Sequence, residues 1–258
     1  MARKALGQHF LLDFNIISRI VAAAAPLDDL HVIEIGPGPG GLTRALLASR
    51  AASVTAIEID RRAIAALAEL HERAGPRLSL IEGDAKTVDY LALTPAPRAI
   101  IANLPYNVGT PLLIAWLRNA AAFTRLVLMF QREVAERICA APASAAYGRL
   151  AVLAQSVSHA ECVFRLPPSA FTPPPAVESA VVRLVPRAEA PPPPVLAALE
   201  RITAAAFGQR RKMLRRSLAP LGGDALLAMA QIDPARRAET LSIAEFLELA
   251  KALLARGE

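Results

Sequence analysis

The segment EIGPGPGGL, which begins at Glu34, puts Gly36, Gly38 and Gly41 behind a short apolar run. Glycines admit tight turns and let a ligand approach the backbone, and the amino terminus of a following helix attracts negative groups. The three glycines keep the spacing G-x-G-x-x-G. A second apolar run closes on Glu58, in AIEID. An acid at that place can accept hydrogen bonds from both hydroxyls of a ribose. Together these residues point to a nucleoside-bearing cofactor. NAD and S-adenosylmethionine both carry an adenosine with a free ribose diol, so both remain open on this pair alone. A third run leads to Asp84, in EGDA, which could equally cap a helix. The fourth run, AIIA (99–102), breaks into Asn103, Leu104, Pro105 and Tyr106. That break is either ordinary strand-end punctuation or a polar site built on a strand end.

The elements that must hold these residues alternate along the chain. HVIEI (31–35), SVTAIEI (53–59), LSLI (78–81), AIIA (99–102) and RLVLMF (125–130) predict five buried strands. GLTRALLAS (41–49), residues 61–73 with Ile64, Leu67 and Ala68, and residues 111–119 predict helices between them. Continuous apolar strands separated by helices predict an α/β fold with a parallel sheet covered on both faces. ECVFRL (161–166) and SAVVRLVP (179–186) predict a hairpin across a proline-rich loop, adding an antiparallel edge. PRAEAPPPP (186–194) reads as a stiff linker. The chain after it is helical, so the expected domains are 1–187 and a small all-helical 188–258. No internal repeat is visible.

The chain has 258 residues, is 54% hydrophobic and carries a net charge of +6. It can bury a full core, and its charge suits a polyanionic partner, nucleic acid or a membrane surface. Two cysteines, Cys139 and Cys162, and four scattered histidines fit no disulfide framework and no metal-ligand spacing, so no metal is expected. The uncharged stretch 99–117 is long enough to span a bilayer, but its two Asn, two Pro and a Gly, and its strand-like front half, argue against a membrane helix. The amino-terminal segment has basic residues but no apolar core of signal-peptide length. A cytoplasmic protein, a monomer with no membrane association, is the expectation.

Two features favour the methyl donor over NAD. Glu34 directly before the glycine turn gives E-x-G-x-G, the pattern of S-adenosylmethionine-dependent methyltransferases. Asp84 falls where those enzymes hold the adenine amino group. NLPY resembles the [DNS]-[LP]-P-[YF] motif of methyltransferases that act on exocyclic amines, including adenine N6. The chemistry accounts for these residue types. The N6 lone pair is delocalised into the ring, so the amine is a poor nucleophile. The side-chain oxygen of Asn103 and the carbonyl of Leu104 can accept its two hydrogens and turn the nitrogen toward a tetrahedral form. Pro105 fixes the turn that aims a carbonyl into the site. Tyr106 offers a ring face to an extruded base, worth ~1–3 kcal/mol.

With these motifs in place, the chain resembles the ribosomal RNA adenine dimethyltransferases, and among them the bacterial 16S type. KALGQHFLLD, VIEIGPGPGGLT, NLPYNVGTPLL, FTPPPAVESAVVRL and AFGQRRKMLRRSL with RAETLS follow family blocks in order, nearly end to end. The resemblance implies a Rossmann-like methyltransferase sheet with an antiparallel edge, followed by the helical domain. It implies S-adenosylmethionine against His9, Leu11, Gly36, Glu58, Asp84 and Asn103, and a base pocket walled by Tyr106 and Phe171. Ordinary loop packing is the alternative for Phe171. Many relatives carry Asn at His9; imidazole can still donate or accept one hydrogen bond. The implied partner is 16S rRNA in a small ribosomal subunit or its precursor, with two adjacent adenines as targets.

FGQRRKMLRRSL predicts one helix with Phe207, Leu214 and Leu218 on its core face. Lys212, Arg215 and Arg216 project from the other side, flanked by Arg210 and Arg211. These five form either a solvated face or a phosphate-binding ridge that positions RNA without reading bases. Arg3 and Lys4 could add to it. Three rivals stand beside the 16S reading: a nicotinamide oxidoreductase, a non-catalytic ribosome-assembly factor and a resistance-type 23S rRNA methyltransferase. The first leaves NLPY unexplained, the second has no reason to keep Gly36, Glu58, Asp84 and Asn103, and the basic helical extension argues against the third.

Overall fold

The computed structural model describes residues 9–257. Arg3 and Lys4, and the start of the GQHF block, lie outside the described residues. The chain divides into two compact units, residues 1–135 with 161–186, and residues 136–160 with 187–258.

The first unit runs β1 (Phe10–Leu11), α1 (Phe14–Ala23), β2 (His31–Ile35), α2 (Gly41–Ala48), β3 (Ser53–Glu58), α3 (Arg61–Ala66), α4 (Ala68–Ala74), β4 (Leu78–Glu82), α5 (Tyr90–Leu93), β5 (Arg98–Asn103), α6 (Tyr106–Leu117) and β6 (Arg125–Gln131). After α7 (Arg132–Ile138) and α8 (Arg149–Val157), it continues with β7 (Ser158–Leu166), β8 (Phe171–Thr172) and β9 (Ser179–Pro186). Seven strands form one sheet in the order β4-β3-β2-β5-β6-β9-β7. β4, β3, β2, β5 and β6 pair in parallel, and β9 pairs antiparallel to β6 with Met129 opposite Val181. Val32, Ile33, Ile100, Ile101, Val127 and Leu128 are fully buried. Apolar side chains on both faces of these strands leave them stable only between covering layers.

β2 lies between β3 and β5, so the connections out of β2 and β5 leave in opposite directions. A crevice opens at the carboxyl ends of strands flanking such a switch. Gly36 follows β2 and Asn103 ends β5, which puts both at that crevice. α6 begins at Tyr106, five residues before the expected start, with Pro111 inside it. Proline's φ suits a helix, and the amide it lacks would have bonded the carbonyl of Asn107, an exposed residue of the first turn. The two-residue strands β1 and β8 form a separate antiparallel ladder, with Phe10 opposite Thr172 and Leu11 opposite Phe171.

The second unit holds the end of α7 from Glu136 and all of α8, with α9 (Pro193–Gly208), α10 (Leu214–Ser217), α11 (Gly223–Met229) and α12 (Ile243–Ala255). Its core stacks Phe207 on Phe246 (5.6 Å between ring centroids) and sets Tyr147 edge-on to Phe207 at 6.0 Å. α12 starts on a capping box, with Ser242 and Glu245 exchanging backbone and side-chain bonds. Residues 136–160 belong with these helices, whereas a boundary drawn at the proline-rich linker puts them in the first domain.

The basic segment is not one helix. α9 ends at Gly208, residues 209–213 turn, and α10 begins at Leu214. The amide of Leu214 donates to the Arg236 carbonyl at 2.7 Å and that of Arg215 to Pro234 at 3.2 Å. Those amides would have closed the next helical turn, so the loop at 234–236 draws the chain out of the helix. Leu214 and Leu218 are buried as expected, and Arg210, Arg211, Lys212, Arg215 and Arg216 are all exposed. No helix among the described residues is long and apolar enough to cross a membrane.

Candidate functional site

A cleft of about 240 Å³ opens in the first unit at the topological switch. His9, Leu11, Gly36, Glu58, Asp84, Asn103, Leu104, Pro105 and Tyr106 all line it. The turn after β2 runs through Gly36 at φ +67° and Gly38 at φ +53°, backbone that favours glycine. A Cβ on Gly38 would lie 2.8 Å from the Phe10 ring. The glycine therefore serves both the turn and the close passage of the amino-terminal strand above it.

Glu58 is 4% exposed and held by three backbone amides. Its Oε1 accepts from Ile59 and Asp60, each at 2.9 Å, and its Oε2 accepts from Gly38 at 3.4 Å. The last bond ties the acid of β3 to the glycine turn of β2. Asp84 follows β4 through Gly83; its Oδ1 accepts from the Lys86 amide at 2.9 Å, and the Lys86 ammonium stands 3.5 Å from Oδ2. Glu34 is 2% exposed, and its Oε2 has no hydrogen-bond partner. Burial pushes its carboxyl up to about 8; the nearby Thr43 hydroxyl lowers it and the charge of Glu58 raises it further.

Asn103 closes β5 with its side chain in the cleft, and its Nδ2 donates to the His9 carbonyl at 3.0 Å. Pro105 sits at φ −58° and ψ 130°, an extended residue that turns the chain into α6. Tyr106 is the first residue of that helix. Its hydroxyl lies 2.6 Å from Ser179 Oγ, and burial raises the phenol above its ordinary value. The His9 ring packs on the Tyr106 ring at 5.4 Å between centroids, tilted by 30°.

Phe171 departs from the expectation. It is 3% exposed, belongs to the core cluster with Leu11, Ile17 and Val181, and does not line the cleft. Pairing of β8 with β1 sets Phe171 opposite Leu11 and turns its ring into the core. The ring that faces Tyr106 in this structure is His9.

The cleft fits a cationic nucleoside. Glu34, Glu58 and Asp84 bring three carboxyls to it, one with a buried orphan oxygen, and the glycine turn keeps side chains out of the way. A profile of the family described as "Ribosomal RNA adenine dimethylase" matches residues 1–254. The chain belongs to that family. It is similar to "Ribosomal RNA small subunit methyltransferase A" of Gluconobacter oxydans, with 58% identity over 254 residues, 98% of this chain and 84% of the relative. The protein of the same description from Phenylobacterium zucineum is 57% identical over 258 residues, 100% of this chain and 90% of the relative. Among solved structures, a dimethyladenosine transferase from Plasmodium falciparum superposes with a TM-score of 0.81 at 26% identity, covering 96% of this chain and 98% of that one. The 23S rRNA methyltransferase ErmE gives 0.73 at 28% identity, covering 95% and 99%. As a member of this family the chain is an S-adenosylmethionine-dependent methyltransferase on a Rossmann-like sheet.

Sequence reasoning gave no role to two residues that shape the site and did not foresee the burial of a third. Phe10 closes over Gly38, yet it belongs to a strand too short for any pattern to mark. Ser179 holds the Tyr106 hydroxyl; its signals are a place in the FTPPPAVESAVVRL block and a small polar residue opening an apolar strand. Glu34 stands out in the sequence only as part of a motif, while its burial beside Glu58 depends on the sheet register that sets Glu34 opposite Ala56 and leaves Glu58 two residues along β3.

Proposed function

We propose that the protein transfers methyl groups to the N6 amines of two adjacent adenines in 16S rRNA, within a small ribosomal subunit or its precursor. The observation that carries this reading is the meeting of Asn103, Leu104 and Tyr106 with Gly36, Glu58 and Asp84 in one cleft. S-adenosylmethionine supplies, when bound, a methyl group made electrophilic by a sulfonium. The rest is done by the chain. Glu58, fixed by its three amides, holds the ribose diol; Asp84 holds the adenine amino group; His9 and Leu11 cover the donor from the amino-terminal strand. Asn103 Oδ1 and the Leu104 carbonyl accept the hydrogens of the target amine and free its lone pair. Pro105 keeps the carbonyl aimed, and Tyr106 stacks on the extruded base.

The exposed cations Arg210, Arg211, Lys212, Arg215 and Arg216 bind rRNA phosphates and set register without reading sequence. Small-subunit specificity is supported by the names of relatives at 57–58% identity, against 28% for the 23S enzyme. A monomeric, cytoplasmic enzyme fits this role. The test supplies labelled S-adenosylmethionine and small-subunit particles lacking the two methylated adenines, then maps the label. Label on two neighbouring 16S adenines is expected. Label elsewhere in 16S rRNA, or none, overturns the proposal.

A further inference from the structure

We propose that His9 is a positioning residue that decides which end of the Asn103 amide faces the target amine. This rests on the reading of Asn103 as the acceptor for N6 hydrogens. A primary amide has two unlike ends: its oxygen accepts and its nitrogen donates. Only the oxygen helps here, because a flipped amide would set its own hydrogens against those of the amine. The torsion that exchanges the two ends is broad and roughly two-fold, so side-chain sterics alone select weakly.

The selection comes from outside β5. Asn103 Nδ2 donates to the His9 carbonyl at 3.0 Å. Its Oδ1 takes no donor among the described residues and is left for a ligand. A carbonyl cannot accept from an oxygen, so this contact holds the amide in one sense only. The His9 carbonyl is itself moored. Its imidazole Nδ1 lies 2.8 Å from the Pro173 carbonyl oxygen, and its ring lies against Tyr106. The next residue, Phe10, is clamped between the β8 ladder and the Gly38 turn. The side chain of His9 thus fixes its own backbone, and the backbone orients the catalytic amide. The same strand seats on the glycine turn, which couples the amide's orientation to closure of the donor site.

The test compares wild type with His9→Ala and His9→Asn. In the ligand-free protein, NMR on ¹⁵N-labelled Asn103 reads exchange of the Nδ2 hydrogens with solvent. Slow exchange is expected in wild type and fast exchange in His9→Ala. The single-turnover rate at saturating S-adenosylmethionine and RNA should fall about tenfold in His9→Ala, the scale of one net hydrogen bond. Because the rate is read at saturating donor, any loss of S-adenosylmethionine affinity from the missing ring, measured separately by calorimetry, does not enter it. His9→Asn, whose amide can still donate to the Pro173 carbonyl, should regain protection and most of the rate. Unchanged exchange and rate in His9→Ala, a loss carried wholly by cofactor affinity, or no recovery in His9→Asn would each overturn the inference. Failure of the underlying reading looks different: Asn103→Ala would itself keep wild-type turnover.

Discussion

Replacing Glu34 with Gln should change how the stability of the ligand-free protein depends on pH. The folded carboxyl is raised from 4.5 to about 8 by burial, while the unfolded one titrates near its ordinary value. Between those two values the native state holds a proton that the unfolded state has lost. Stability is therefore full below the unfolded value and declines as pH rises toward the folded one. One unit of pKa difference corresponds to ~1.4 kcal/mol, so integration from pH 5 to pH 8 gives a loss of roughly 3 kcal/mol from this group alone. Gln keeps the size of the side chain and cannot ionise, so it should be free of that loss. Urea unfolding of both proteins at several pH values isolates the effect, because every other titrating group cancels in the difference. The advantage of Glu34→Gln over wild type should grow by roughly 3 kcal/mol across that range. Parallel stability curves would refute the reasoning and would mean that Glu34 is ionised in the native cleft. A cationic ligand should also favour the ionised form, so S-adenosylmethionine binding to wild type near neutral pH should release protons, and binding to the variant should release fewer.

Three further outcomes are expected. Asn103→Ala should lower methyl transfer by ~10²–10³ with the fold intact, as for the loss of one transition-state acceptor; wild-type turnover would make the NLPY turn purely structural. Phe171→Ala should destabilise the first unit by ~3–5 kcal/mol in urea unfolding, as truncation of a buried ring does; unchanged stability with lost RNA activity would restore the ring to the base pocket. Replacing Lys212, Arg215 and Arg216 by Gln should weaken RNA binding and lower the log–log salt slope by ~0.7–0.9 for each phosphate no longer neutralised. Donor affinity should stay as in wild type, and an unchanged salt slope would make the segment a solvated face.

The parallel strands were legible because each is a continuous apolar run, a pattern that local composition carries by itself. HVIEI and SAVVRLVP match β2 and β9 residue for residue. The acids and glycines at the strand ends were legible for the same reason, since locating the strands locates the crevice. What stayed hidden depends on distant partners. β1 and β8 are two residues each and exist only because they meet across more than 150 positions. Phe171 was expected as a pocket wall only through the family resemblance; its pairing with Leu11, distant in the chain, sets it in the core. Phe207, Leu214 and Leu218 keep helical spacing across a break that only the carbonyls of Pro234 and Arg236 explain.

The division of the chain bears on how the protein can be made. The polypeptide crosses between its two units at residues 135/136, 160/161 and 186/187. On an elongating chain, α8 emerges before α9 and α12, against which it packs, and the closing strand β9 emerges after it. Tyr147, fully buried against Phe207, has no aromatic shelter until that later stretch is synthesised. A fragment cut at residue 188 would keep all five cations of the basic turn yet lack α8 and Tyr147, uncovering the Phe207 ring that Tyr147 packs against. Such a fragment would aggregate for want of its lid, and its failure to bind RNA would say nothing about the cations. An intact second unit needs residues 136–160 supplied with it, spliced on or added in trans.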